Sequence, residues 1–91
     1  MRRQRLVLLP GVADLVRQLP PARKRKVRAA LDELLRDPEL GEALERELVG
    51  LRRIRVGELR VIYRTTGQGI EIVALGPRRT IYLELERAAR S

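Results

Sequence analysis

The residues of this 91-residue chain best suited to chemistry are the arginines of its second half. Arg53, Arg55 and Arg60 alternate with apolar residues, and Arg78-Arg79 follow Gly76-Pro77 with Tyr82 close behind. A guanidinium presents a planar fork of donors that matches a pair of phosphate oxygens, so arginines converging on one spot would hold a phosphate. Convergence depends on strand register. A Gly-X pair between two alternating runs predicts a two-residue hairpin loop at Gly57-Glu58, with glycine supplying positive φ at the first central position. Val56 then faces Leu59, Arg55 faces Arg60, Ile54 faces Val61 and Arg53 faces Ile62. Opposed residues share a face, so Ile54, Val56, Leu59 and Val61 make a core face while Arg53, Arg55 and Arg60 gather on the other. Two guanidiniums ~6–8 Å apart at an effective dielectric of ~20 repel by roughly 2–3 kcal/mol. Either the arginines splay into water, or the face is an anion pocket in which a phosphate relieves the repulsion. A one-residue slip would move every side chain to the opposite face.

Composition narrows the chemistry. There are 20 Lys+Arg against 12 Asp+Glu, for a net charge of +8, with no histidine and no cysteine. The usual zinc ligand sets, disulfides, thiol nucleophiles and Ser-His-Asp triads are therefore excluded, and no metal or cofactor is expected. The length predicts one small domain, residues 1–91. No run of ~18 apolar residues exists to span a membrane. Met1-Arg2-Arg3-Gln4-Arg5 leads into only four apolar residues before Pro10, too few for a signal peptide, so a soluble cytoplasmic protein is expected. Residues 1–28 carry nine basic residues and one acid, residues 29–50 carry two basic and seven acidic, and residues 51–82 carry seven arginines against Glu58 and Glu71. A basic surface of this kind attracts polyanions, nucleic acid above all.

The elements that must position these residues read as α+β. Leu6 to Leu9 is a short apolar run, a buried strand or a leader into a helix. Val12, Leu15, Val16 and Leu19 form one helical face stopped by Pro20-Pro21. Pro21 opens a second helix with its stripe at Val27, Leu31, Leu34 and Leu35, ended by Asp37-Pro38. Arg23 to Lys26 and Arg28 load the start of that helix with cations, against its macrodipole, which suggests another use for the charge. Leu40, Leu44 and Leu48 allow a further helical turn or two. Beyond Gly50 the period changes to 2, giving strands at 53–56, 59–64 and 70–75, the last apolar on both faces. Thr80 to Leu85 alternates again and predicts a fourth strand. The expected architecture is a short N-terminal strand, a two-helix hairpin, then an antiparallel meander of about four strands packed on the helices.

With these residues laid out, about residues 6–85 resemble the RelE/ParE superfamily of toxins from toxin–antitoxin pairs. The likeness rests on the leading strand and on the helix pair ending in Leu34-Leu35-Arg36-Asp37-Pro38. It continues in Leu48-Val49-Gly50, in the run from Arg53 to Arg64, and in Gly76-Pro77-Arg78-Arg79 leading to Ile81-Tyr82. The resemblance implies a RelE-like fold and a ribosome-dependent, metal-free endoribonuclease that cuts mRNA and is silenced by a wrapping antitoxin. By motif, Arg53 and Arg55 resemble the family's phosphate-holding basic pair, and Arg60 the arginine of the next strand. Arg78, with Arg79 as its alternative, resembles the arginine after the Gly-x step, and Tyr82 the C-terminal tyrosine at the cleaved nucleotide. The chain departs from many relatives in having Pro77 where they carry a histidine, and arginines for a lysine pair.

Metal-free RNA cleavage requires the 2′-hydroxyl to lose its proton, the charge on the phosphoryl oxygens to be stabilised and the leaving 5′-oxygen to be protonated. Arg60 and Arg78 are expected to clamp the scissile phosphate, with Arg53 and Arg55 holding it and its neighbours. Tyr82 is expected as general base or as a stacking platform, since cations near a phenol favour its phenolate. Arg52, Arg64 and Arg79 are expected as flanking electrostatics, Tyr63 as core, and the 23–28 cluster either as a track for ribosomal RNA phosphates or as a solvated helix face. The alternatives are a ParE-type DNA gyrase inhibitor or an attenuated relative that acts by binding only. The expected partners are an acidic antitoxin, in a hetero-oligomer, together with mRNA and the ribosome.

Overall fold

A computed structural model describes residues 5–90. The basic start at 1–4, part of the stretch read above as too short for a signal peptide, and Ser91 lie outside the described residues. The order of elements is β1 (Arg5–Leu8), α1 (Pro10–Gln18), α2 (Pro21–Arg36), β2 (Glu42–Ala43), a 3-10 turn (Arg46–Leu48), β3 (Arg52–Val56), β4 (Leu59–Thr66), β5 (Gly69–Pro77) and α3 (Arg78–Arg90). The five strands form one sheet in the order β1-β5-β4-β3-β2, with β1 parallel to β5 and the other pairs antiparallel.

Both predicted helices form. Each begins with proline in its first turn and without a side-chain cap, because proline's fixed φ suits that position and its missing N–H costs nothing there. The first turn of α2 contains no acid. Val27, Leu31 and Leu34 bury the α2 stripe against Val61, Tyr63, Ile70, Ile72 and Leu75 of the sheet, with Val12 of α1 closing the layer.

The hairpin has the register expected from the sequence: Val56 pairs with Leu59, Arg55 with Arg60, Ile54 with Val61 and Arg53 with Ile62. Gly57 takes φ +61°, a conformation that side chains other than glycine's resist. Ile54, Val56 and Leu59 pack on the helix-side core as expected.

The expected strand at Thr80–Leu85 is instead the first half of α3. Ile81 and Leu85 are four residues apart, a spacing that fits period 2 and a helical face equally. Leu83 separates the two patterns. In a strand it would join Ile81 and Leu85 on the buried side, whereas here it is 58% exposed while Ile81 is buried. The sheet also had no place for another strand beside β5, whose two edges are occupied by β4 and β1. The meander therefore has its fourth, two-residue strand at the opposite edge, β2 beside β3, in the segment where helical turns were expected. Only the 3-10 turn there is helical, and it buries Leu48.

α3 lies on the arginine-bearing face, in contact with β4, β5 and the 3-10 turn. Ile62 points to that face and is fully buried, as are Ile81 and Leu48 to within a few per cent. These residues form a second, smaller apolar layer that the hairpin pattern alone left without a covering element.

Tyr63 is fully buried, as expected of a core residue. Its hydroxyl accepts from the Gly41 N–H at 2.8 Å and donates to the Pro38 carbonyl at 2.9 Å, fixing the loop between α2 and β2. A Cβ at Gly41 would come within 2.6 Å of that hydroxyl and of the Arg53 carbonyl, so the approach requires glycine. Burial, the largest influence, pushes the Tyr63 phenol above its ordinary value, against the smaller opposing pull of the Gly41 N–H. The phenol thus supports the fold as a neutral group, and that support is lost as pH rises through its raised value. Tyr63→Phe is expected to cost about 1–3 kcal/mol by leaving the loop's buried polar groups without a partner, measured by urea unfolding.

Candidate functional site

Three of the strand arginines occupy the α3 face in two rows. Arg55 and Arg60 form the row nearest the hairpin turn, with Gly76 beyond them on β5. Arg53, Ile62 and Ala74 form the next. The chain enters α3 directly from β5, so Arg78 and Arg79 lie at the turn end of this face and Tyr82 one helical turn further on.

Arg60 is 7% exposed and forms no ion pair among the described residues. Its Nη1 donates to the carbonyls of Gly57 at 3.2 Å and Leu59 at 3.1 Å, while its Nε is buried without a hydrogen-bond partner. With Gly57, Glu58, Pro77, Arg78 and Arg79 it lines a cavity of about 380 Å³. A guanidinium withdrawn from water without a carboxylate is costly, and an anion entering beside it would supply the missing acceptors.

Arg53 and Tyr82 form a second unit. Arg53 Nη1 donates to the Tyr82 hydroxyl at 2.8 Å, and the guanidinium carbon stands 5.9 Å from the ring centroid. The other edge of Arg53 donates to Glu42, through Nη2 at 2.6 Å and Nε at 3.2 Å. The contacts with Tyr82 first and Glu42 second strengthen the hold of Arg53 on its proton. Arg53 lines a cavity of about 320 Å³ with Ala30, Glu33, Leu40, Glu42, Ile54 and Arg55.

The site residues expected from the sequence thus fall into two groups. Arg60, Arg78 and Arg79 share one cavity, while Arg53 and Arg55 share the other, with Tyr82 bonded to Arg53. Two of the flanking arginines stand apart. Arg52 pairs across the ladder with Tyr63, on the helix side, and its Nη1 donates to the carbonyls of Gly41 at 2.8 Å and Glu39 at 3.4 Å, which makes it a tether for the loop. Arg64 donates to Glu71 through Nη2 at 2.6 Å and Nε at 2.9 Å, and is neutralised there. Glu42 is a residue the sequence reading missed. Its only signal was the acid-rich composition of the segment that becomes β2.

Among the described residues, no group of three or more His, Cys, Asp or Glu side chains could hold a metal ion, and no helix is long and apolar enough to cross a membrane.

The N-terminal strand, the two helices and the mixed sheet resemble the fold of RelE toxins. The profile of the family described as ParE toxin of type II toxin-antitoxin system, parDE, matches residues 12–82. This chain belongs to that family and is a toxin of a type II toxin–antitoxin system.

Among solved structures, the toxin–antitoxin complex RelBE2 from Mycobacterium tuberculosis contains a chain 26% identical, with 86% of this chain and 100% of that one aligned at a TM-score of 0.72. The archaeal RelE–RelB complex from Pyrococcus horikoshii gives 29% identity over 86% of this chain and 98% of that one, at a TM-score of 0.69. A mutant of Escherichia coli toxin RelE in the free state aligns over 99% of this chain and 98% of that one at a TM-score of 0.75, and at 16% identity it shares the fold. No curated protein matches significantly in sequence.

The Arg53–Glu42 pair has a pH signature. Hydrogen bonds from Arg53 and then its charge, with a smaller contribution from Arg55, hold the Glu42 carboxyl below the ordinary value of 4.5. A carboxyl lowered by folding stabilises the native state above its unfolded value and loses that contribution as pH falls through its own. NMR titration of the Glu42 carboxyl is expected to place its midpoint below 4.5, and Arg53→Gln is expected to raise it.

Proposed function

We propose that this toxin is a ribosome-dependent, metal-free endoribonuclease that cleaves mRNA by attack of a 2′-hydroxyl on the adjacent phosphorus. The observation that carries the reading is Arg60, buried, without a carboxylate, and lining one cavity with Arg78 and Arg79. In this reading Arg60 and Arg78 grip the non-bridging oxygens of the scissile phosphate, with Arg79 as the alternative to Arg78. Their charges are in place before the reaction, so they stabilise the added negative charge of the transition state without reorganising. Arg53 and Arg55 hold the neighbouring phosphate. The 2′-oxygen gives up its proton and bonds to phosphorus, the bond from phosphorus to the 5′-oxygen breaks, and that oxygen gains a proton. The products are a 2′,3′-cyclic phosphate and a 5′-hydroxyl.

Tyr82 is assigned to the general base or to stacking on the nucleotide. Arg53 orients its hydroxyl oxygen by donating to it. The ribosome supplies sequence context and shape, which a site of three or four cations on so small a chain does not encode. Substrate and ribosome place the activity in the cytoplasm. Two of the similar solved structures are toxin–antitoxin complexes, and an acidic antitoxin bound over the cationic face would complete the hetero-oligomer here.

A second reading, a ParE-type inhibitor of DNA gyrase that binds without cleaving, is favoured by the description of the matching family and by the engagement of Arg60 with hairpin-turn carbonyls. Translation in cell extract, with mapping of mRNA 5′ ends, separates the readings. Cleavage predicts cuts within codons that fall by about 10²–10³-fold in Arg60→Gln, while Tyr82→Phe separates the two roles of Tyr82, losing cleavage where the hydroxyl is the base and keeping it where the ring stacks. Intact message with blocked supercoiling would establish the gyrase reading, and neither effect would leave a chain that acts by binding alone.

A further inference from the structure

The cluster of cations opening α2 is not used by the cleavage centre, yet the fold places it next to that centre. Arg23 and Lys26, three residues apart and therefore neighbours on the helix surface, line a cavity of about 220 Å³ with Val56, Gly57, Glu58 and Leu59. Gly57 and Glu58 also line the cavity that holds Arg60, Arg78 and Arg79. The two cavities flank the two sides of one hairpin turn, two residues wide. Neither Arg23 nor Lys26 has an ion-pair partner among the described residues, whereas nearby Arg17 is paired with Asp14 and Lys24 donates to the Arg17 carbonyl. Unpaired cations in the acid-free first turns of a helix oppose its macrodipole, so their placement does not serve the helix itself.

The chemistry of this smaller cavity is that of a nucleotide. Two cations at the rim suit a phosphate, and the half-buried Val56 and Leu59 offer an apolar wall to a ribose or a base. Glu58, the one acid lining either cavity, stands on the shared turn, where it repels a polyanion that passes on either side.

We propose that this cavity is a second nucleotide subsite on the path of the cleaved strand. Single-stranded RNA with its scissile phosphate at Arg60 crosses the turn at Gly57-Glu58 and places a flanking nucleotide against Val56 and Leu59, its phosphate held by Arg23 and Lys26. This inference rests on the cleavage reading and adds to it a binding determinant on the opposite side of the hairpin.

The test uses fluorescein-labelled 2′-O-methyl RNA, which cannot be cleaved, as a dinucleotide and as an octanucleotide, with anisotropy measured across a salt series. Arg23→Ala combined with Lys26→Ala is expected to leave dinucleotide binding within about twofold, to weaken the octanucleotide by about tenfold at low salt, and to reduce its salt slope by about 0.7, the loss of one neutralised phosphate on a single strand. Glu58→Gln is expected to tighten the octanucleotide. Arg5→Gln combined with Arg36→Gln removes the same charge from distant exposed positions and sets the non-specific baseline. Loss in the Arg23/Lys26 variant no greater than that baseline would overturn the subsite. Arg60→Gln is expected to weaken both lengths. If it alone does so, the subsite falls and the cleavage reading stands. If it weakens neither while the Arg23/Lys26 variant weakens the octanucleotide, the shared path and the cleavage centre both fall. All substituted side chains except Arg60 are exposed, so those variants are expected to fold, with small opposite shifts in melting temperature for the Arg23/Lys26 and Arg5/Arg36 pairs from the α2 macrodipole.

Discussion

A guanidinium buried against its own hairpin, with carbonyls for partners and no carboxylate, is the constraint from which the rest of this structure follows. Arg60 lies directly opposite Arg55 in the ladder, and both belong to a face where like charges repel. The chain resolves the conflict locally. Arg55 remains exposed, while Arg60 turns toward the hairpin end, where the Gly57 and Leu59 carbonyls accept from it. Carbonyl dipoles satisfy hydrogen-bonding capacity but do not cancel a charge. The positive field therefore persists in the cavity that Arg60 shares with Arg78 and Arg79. By contrast, Arg64 and Arg53 are answered by Glu71 and Glu42. The sheet thus carries arginines in two electrostatic conditions, and the uncompensated ones mark the place where an anion is wanted.

α3 reconciles two demands on the same face. Ile62 must be covered, because a fully buried isoleucine requires apolar neighbours, yet the arginines beside it must remain reachable. A helix laid over the face meets the first demand through Ile81. Its first turn brings Arg78 and Arg79 to the hairpin end, and its second places the Tyr82 hydroxyl on Arg53. Covering the apolar layer and assembling the charged site are one act of packing. Tyr63 of β4 and Arg52 of β3 contribute from the opposite face, holding the loop that carries Glu42 to Arg53.

The site was legible in the sequence to the extent that it depended on parity. Alternation through Arg53–Arg64 and a glycine at the turn were sufficient to place Arg55 against Arg60 and to separate core from charged face, and the ladder has that register. Tyr63 as core followed from the same parity. What was not legible depended on contacts distant in the chain. The acid that answers Arg53 comes from a two-residue strand that no periodicity can announce. Arg52, expected as flanking electrostatics, stands on the helix side by that same parity, and what the sequence did not show is that two loop carbonyls take up its guanidinium.

By itself the sequence determined the hairpin, its register, the two N-terminal helices and the types of residue that face each other, because strand and helix periods act over a few neighbouring residues. Only the tertiary structure decided that 80–85 is helical, since Ile81 and Leu85 satisfy both periods and the choice turned on the absence of a free edge beside β5. It alone also decided that Arg60 is buried without a counter-charge and that α2 faces the hairpin turn, because burial and the sharing of a cavity are set by how elements stack and not by the order in which they occur.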